Sequence, residues 1–571
     1  MTSALIRKAR HVLGDPVLRR WLLRRMVGLE KAPPAFTPGA PPYLRAAVPE
    51  AGHPAPPVWT KPESGKSFEP PDGNITIDLP GVSVNVSANE PGSLFDRDYR
   101  DLETTLGAHR FAWVPLAGPD IDPNWVAALW GYWVEKYGTN RSGWPWHAYT
   151  AAERAVNIID FSERFRLPGN REETLHILAG HAEAIRNKLE YFGEHYTSNH
   201  LSNNARGLLR IGVALGLENY ANDGAQILAA EAGRIFGRSG LLNEGSSHYH
   251  LLVTRNYIDA WLAANHGNLE QAPLLGDIAE RAVAAISGLC LPGGMPLIGD
   301  ISPDAPPAYF AAMTGGDTDG PAWPCNMNEE YRETVAGLLS RIAPISPDRL
   351  AEDGWHRFGN ERWQALAYVS PDGWPPMPGH GHQDLGSFEL HDGDAKVIVD
   401  PGRGTYADAE YAAAAFHNGL TVSGSEPAPV NRPYYDDAFR RRVVRVTPAL
   451  ERTRTGRILH VYGFSRLSGV GKFERQWRFE DSKLEIRDRV EGRGTKRIDR
   501  RYVTSADVEV EDGCAKLNIA GRRWRLCADC QPNIKPATKW TAYGLGQPSH
   551  VITFSGMEKL PFEGTTVLER L

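Results

Sequence analysis

Residues 274–289 read Leu-Leu-Gly-Asp-Ile-Ala-Glu-Arg-Ala-Val-Ala-Ala-Ile-Ser-Gly-Leu, with apolar side chains three and four apart, whereas Gln364–Val369 (QALAYV) opens a series of short alternating runs. The first pattern buries one face of a helix and the second one face of a strand. The helical pattern extends backwards through Trp125–Tyr137, Ala151–Phe165, Glu173–Phe192, His200–Leu217, Gly224–Phe236 and Tyr249–Ala264, with Gly, Pro or Asn clusters between. The alternating pattern runs forward through Ser387–Leu390, Lys396–Val399, Ile458–Phe464, Lys483–Val490 and Val551–Phe554, with Asp392–Gly393 and Asp512–Gly513 as turn pairs. Helices joined by short loops imply an α/α solenoid closed into an incomplete toroid, and the later runs imply an antiparallel β-sandwich. The expected division is a basic helix at 1–31, a proline-rich strap at 32–72, the toroid at 73–350 and the sandwich at 351–571.

Outside these regions, composition narrows the possibilities. The 571 residues carry 63 Lys+Arg and 69 Asp+Glu, a net charge of −6, which does not indicate a nucleic-acid partner. Residues 1–31 hold eight basic and two acidic side chains, a local charge of 8 − 2 = +6. Arginines break each apolar run there, so no secretory signal peptide is recognisable, and a cytoplasmic location is the expectation, with a periplasmic or membrane-peripheral one as the alternative. The segment reads instead as a basic amphipathic helix interrupted near Gly14–Asp15–Pro16, suited to its own protein, a partner or a peripheral membrane contact. Twelve prolines between Pro33 and Pro71 remove backbone donors and fix φ, implying an extended strap. Cys527 and Cys530 have no second CxxC pair and read as reduced thiols. Neither a Walker loop nor a dinucleotide fingerprint is present, so no nucleotide or organic cofactor is expected.

Three polar clusters stand at element ends. Ser198–Asn199–His200 through Arg206 opens a helix, with Ser198 or Asn199 able to cap it. Asn243–Glu244 through His248–Tyr249–His250 leads into another, and a tyrosine beside cationic groups could transfer protons. The third is Gly379–His380–Gly381–His382–Gln383–Asp384, followed by Asp400–Pro401–Gly402, Tyr406 and His417–Asn418. Histidines two apart with a later Asp and His supply the donors zinc takes, and on a strand His380 and His382 would share a face.

These clusters, in this order across a helix-to-strand change, resemble the heparinase II/III family of polysaccharide lyases over residues 100–570. Asn199–His200, Glu244 through His250, Gly379–Asp384 with Ser387–Leu390, Asp400–Gly402 with Tyr406, and His417–Asn418 carry the resemblance. It implies β-elimination beside a uronic acid, with Asn199 and His200 or His380 neutralising the carboxylate and Tyr249 as acid and base. It also implies His380 facing substrate while His382, Asp400 and His417 hold a structural divalent metal, usually zinc. Trp144, Trp146, His147, Arg206, Glu244 and His248 are candidate substrate contacts, with Arg206, His248 and His250 available to shift the Tyr249 phenol. Arg440–Arg442 read as a solvated strand face. The expected partner is an anionic glycan such as a bacterial exopolysaccharide, alginate or a glycosaminoglycan. Rival readings are a uronyl C5-epimerase using the same proton abstraction, a glycoside hydrolase built on Glu244, Asp300 and Asp304, and a noncatalytic glycan-binding module.

Overall fold

The computed structural model describes residues 12–30, 36–44, 56–61, 67–316, 322–370, 373–374, 377, 379–407, 409–429 and 437–571. The first eleven residues of the expected basic helix and several prolines of the strap, Pro33 and Pro34 among them, lie outside these. The described helix runs Pro16–Met26 with Asp15 as its cap, matching the interruption expected there. The described pieces of the strap lie along the helical region, where Val58 and Thr60 donate backbone bonds to Leu215 and Ala214, and Gly39 donates to Tyr191.

Four helices form an inner layer: Leu102–Arg110, Ala148–Arg164, Asn199–Leu215 and Ser247–His266, each packed on the next. Arg171–Asn187, Glu218–Ile235 and Ala272–Leu289 alternate with them along the chain and form the outer layer. Burial separates the layers: 17 of the 20 residues of Ser247–His266 are buried, against eight of the 18 in Glu218–Ile235. An outer helix needs only one apolar stripe, but an inner helix is enclosed on all sides. Its polar residues must therefore find partners inside the protein or line the cleft. The helices begin within three residues of the apolar periods, except Glu218–Ile235, which starts six residues earlier.

A hairpin not anticipated from sequence precedes the toroid, with β1 (Asn74–Leu79) paired to β2 (Val82–Ser87) and Ile77, Leu79, Val84 and Val86 buried in the helical core. The C-terminal region holds two antiparallel sheets. The smaller joins β3 (Trp355–Gly359), β4 (Trp363–Tyr368), β5 (Glu389–Asp392) and β6 (Ala395–Ile398) in sequence order. The larger contains β7 (Leu420–Val422), β8 (Ala449–Arg452), β9 (Gly456–Val461), β10 (Val470–Phe479), β11 (Lys483–Thr504), β12 (Asp507–Glu511), β13 (Cys514–Ile519), β14 (Arg522–Ala528), β15 (Pro532–Ala542) and β16 (Leu545–Arg570). Phe358, Trp363 and Leu390 of one sheet meet Trp477, Ile486 and Phe554 of the other in one core, as a sandwich requires.

Several local readings change in the folded chain. The run Lys483–Val490 continues to Thr504, because Gly492 and Gly494 occupy a register shift within β11 rather than a turn. Cys527 is not a reduced thiol: it forms a disulfide with Cys514 from the neighbouring strand, leaving Cys530 free. Arg440–Arg442 lie on a helix, Asp437–Val443, not a strand. No described helix is long and apolar enough to cross a membrane.

Candidate active site and metal centre

Two inner helices present their first turns to the seam between toroid and sandwich. Ser198 caps Asn199–Leu215 by accepting from the His200 amide, and Ser246 caps Ser247–His266 by accepting from the Tyr249 amide at 3.1 Å. Asn199, His200 and Tyr249 therefore stand where unpaired amides and the helix dipole favour an anion. The buried Glu244 carboxylate ties the pieces together. Its Oε1 accepts from the Asn199 amide at 2.6 Å, and its Oε2 lies 3.5 Å from His380 Nε2. The His380 amide donates to the Glu244 carbonyl at 3.1 Å. Gly379 is needed in that approach, since a Cβ there would meet the Glu244 side chain at 2.6 Å.

From the sandwich side, His380 stacks on Tyr249 with ring centroids 3.5 Å apart and planes within 6°. The hydroxyls of Tyr249 and Tyr406 are hydrogen-bonded to each other. Burial drives the Tyr249 phenol well above its ordinary pKa, while the bond to Tyr406 works the other way. The expected cationic helpers do not surround it. Arg206 is buried in ion pairs with Glu153 and Asp259, behind the site. His248 accepts from the Ser302 amide at 2.9 Å, and burial lowers it to about 3. His250 bridges Leu242 and Ala282, with burial lowering it to about 4. Arg206 and His248 are thus scaffold groups rather than substrate contacts, and neither histidine supplies positive charge.

The imidazole at the helix start is that of His200. Its Nδ1 lies 2.8 Å from Glu190 Oε1, and 43% of its side-chain surface remains exposed. Burial alone would lower its pKa, but Glu190 more than offsets that and raises it. Asn204 donates to the other Glu190 oxygen at 3.1 Å, fixing the carboxylate. Tyr149 packs on His200 at 4.7 Å and donates to Asp304 at 2.6 Å, where Arg110 also binds. Asn199 Oδ1 is buried with no protein partner. Trp144 is exposed beside His147, 5.5 Å between rings, whereas Trp146 is fully buried against Trp133 and His181. Trp146 is core and cannot stack on a sugar. Glu244, also without exposed surface, positions other groups rather than touching substrate.

Asp300 joins the site to the metal-like cluster. Its carboxylate lies 3.2 Å from His380 Nδ1, 2.8 Å from His382 Nε2 and 3.3 Å from Arg403 Nη1 through both oxygens. Burial opposes ionisation, but the histidines and Arg403 outweigh it and hold the Asp300 carboxyl well below the usual range. His380 therefore has a carboxylate at each ring nitrogen and supports Tyr249 from its stacked face, instead of opening to substrate as expected. Gly299, at φ +87°, lets this strand pass: a Cβ would meet the His380 carbonyl at 2.8 Å.

One donor atom each from His382, Asp400 and His417 lies within 4.8 Å of the others, and all three residues are buried. His382 Nδ1 has no hydrogen-bond partner, although its Nε2 meets Asp300. His417 Nδ1 lies 3.0 Å from Asp400 while its Nε2 faces the Tyr411 carbonyl at 2.7 Å. Histidine ligands whose outer nitrogens are held by a carboxylate or carbonyl suit a divalent metal, so the residues fit one. His380 is not part of this group, its ring nitrogens facing Asp300 and Glu244 instead, so His380 and His382 do not pair as metal ligands.

The carboxylates considered for hydrolysis are already committed. Glu244 is held by Asn199 and His380, Asp300 by two histidines and Arg403, and Asp304 by Arg110 and Tyr149. They form no free acid–nucleophile pair, and the hydrolase reading is set aside. Glu190 and Arg403 were absent from the sequence-derived set, and Asp304 entered it only as a hydrolase carboxylate. Glu190 meets His200 across 10 residues, Arg403 meets Asp300 across 103 and Asp304 meets Arg110 across 194, and no local spacing marks them.

The architecture and seam define a protein built of a helical toroid joined to an antiparallel sandwich. Residues 344–560 match the family model described as heparinase II/III-like, C-terminal. Its fold is similar to a crystal structure of heparinase III, with TM-score 0.61, 15% identity, and coverage of 84% of this chain and 79% of that one. It is also similar to a mutant of heparan sulfate lyase HepC from Pedobacter heparinus, with TM-score 0.52, 15% identity, and coverage of 83% and 78%. No curated protein matches the sequence.

Proposed function

We propose that the chain is a polysaccharide lyase that cleaves a uronate-containing glycan by β-elimination. The observation that carries this reading is the meeting, at the domain seam, of Tyr249 from the toroid with His380 and Tyr406 from the sandwich, beside the helix start that carries Asn199 and His200. The chemical difficulty is the C5 proton, which is weakly acidic while the adjoining carboxylate keeps its charge. Asn199, the cationic His200 and two helix N-termini offset the charge that develops there. The ionised Tyr249 takes the C5 proton and passes it to the leaving 4-oxygen, so the phenolate is regenerated. Tyr406 donates to the Tyr249 oxygen and stabilises it while ionised. His382, Asp400 and His417 would hold the divalent metal, zinc by the resemblance, and a bound ion would stiffen the loop that carries His380. The remaining contacts of His380, with Glu244 and Asp300, fix its ring under Tyr249.

Incubating the protein with alginate, heparan sulfate, chondroitin and bacterial uronate exopolysaccharides should yield an unsaturated product absorbing in the ultraviolet from at least one. A polymer that is bound but never gives this product counts against the lyase reading for it. Solvent deuterium entering C5 of an uncleaved polymer would instead identify epimerisation.

The Glu190–His200 pair sets a pH limit. Because Glu190 raises the His200 pKa, the imidazolium that binds the uronate persists to higher pH than a free histidine would. Its charge, and the stability it shares with Glu190, are present below the ordinary histidine pKa and lost as pH rises through the raised value. Glu190→Gln should therefore move the alkaline limb of kcat/KM to lower pH and raise KM more than it lowers kcat. An unchanged limb in that profile would remove His200 from carboxylate binding.

A further inference from the structure

The N-terminal helix has two faces with different chemistry. Asp15 accepts from the Val17 and Leu18 amides at 3.0 Å and pairs with Arg466 at 2.6 Å in a buried ion pair. Leu18 and Trp21 then pack with Trp374, Phe439 and Val443, with Trp21 and Phe439 centroids 5.0 Å apart. That face holds the helix to the sandwich. On the remaining surface Leu13, Leu23, Met26, Val27 and Leu29 are between 52% and 74% exposed. Isolated exposed apolar residues are ordinary, but five within 17 residues form a patch that water solvates poorly.

The patch lies beside positive charge. A groove of about 440 Å³ between this helix and the helix Asp437–Val443 is lined by Arg20, Arg24, Arg442 and Arg445 over Trp21 and Phe439. Glu30 is already bound by Arg24 at 2.8 Å and Arg442 at 3.3 Å. Among the described residues Arg20 and Arg445 have no acidic partner, and Val446 beside Arg445 is 49% exposed. A chain with net charge −6 thus gathers unpaired arginine and exposed aliphatic groups on one face. A soluble sulfated glycan would use the arginines and leave Leu23, Met26 and Val27 in water. Its natural stacking partner, Trp21, is only 5% exposed. An anionic lipid surface uses both features: headgroups take the guanidinium groups and the acyl boundary takes the aliphatic side chains.

We propose that the N-terminal helix, fixed to the sandwich through Leu18, Trp21 and Asp15, docks the protein on an anionic phospholipid surface. In a flotation assay the full chain should bind vesicles of phosphatidylcholine mixed with phosphatidylglycerol at least tenfold more tightly than phosphatidylcholine alone, with the difference shrinking at high salt. Leu23→Ser with Met26→Ser, and separately Arg20→Glu with Arg445→Glu, should each reduce binding by about tenfold or more. Both pairs sit at exposed positions, so the melting temperature and turnover of a soluble oligosaccharide should stay unchanged. Equal binding to neutral and anionic vesicles, or variants that float like the wild type, would overturn the proposal. So would a protein that binds soluble heparin through Arg20 and Arg445 but leaves the vesicles unbound.

Discussion

Tyr249→Phe is expected to lower kcat by about 10³-fold or more, because in the proposed mechanism one phenol handles both proton transfers and each positioned acid or base contributes roughly 10²–10⁴. The ring keeps its volume and its stack on His380, so the fold should survive. What disappears is the hydroxyl bonded to Tyr406. A thermal melt near that of the wild type, beside loss of the unsaturated product, would separate chemistry from collapse. Tyr406→Phe should act more gently and in a defined direction. The Tyr406 hydrogen bond lowers the Tyr249 pKa against burial, so its removal leaves the phenol harder to ionise. The acidic limb of kcat should then move to higher pH. Full activity in Tyr249→Phe, measured as ultraviolet absorbance on the cleaved polymer, would sink the proposed mechanism.

Asp300→Asn should have the next largest effect, through position and charge rather than contact with sugar. The ionised carboxylate bonds His380 beneath the Tyr249 phenol, His382 of the metal-like cluster and Arg403. An amide of the same shape cannot accept from all three or offset their charge. Metal affinity should fall about 10–100-fold, the usual cost of losing a carboxylate behind a histidine ligand. Activity should fall with it and recover partly at high metal concentration, a rescue that Tyr249→Phe would not show. The depressed Asp300 pKa also gives a sign for stability. Its contribution is present above the ordinary aspartate pKa near 3.9 and is lost as pH falls below it. The variant should therefore lose less stability than the wild type on acidification. Unchanged metal affinity by calorimetry would show that Asp300 has no influence on the cluster.

Much of the architecture was legible because it depends on local periods. The helix Ala272–Leu289 follows from apolar spacing alone, and the turn at Asp512–Gly513 follows from two residues that tolerate positive φ. The continuation of β11 past Gly492 was not legible. The same glycines serve a turn or a register shift, and pairing with β16 on the far side decides between them. The candidate site divides in the same way. Asn199, His200 and Tyr249 could be named from residue type and order, whereas the choice of His382, Asp400 and His417 over His380 came from the family resemblance. The roles of Arg206, His248, Trp146 and His380 could not, since an arginine facing Asp259 and one facing a cleft have the same neighbours in sequence.

By itself the sequence determined the helical-then-strand order and the helix starts that carry Asn199 and Tyr249, because backbone period and side-chain chemistry are local properties. Only the tertiary structure decided which groups are spent on one another. Asp300 reaches His380 and His382 across 80 and 82 residues, and Tyr249 reaches Tyr406 across 157. Such partners are chosen by the packing of toroid against sandwich. Burial then sets their charge, and neither quantity is written in any short stretch of chain.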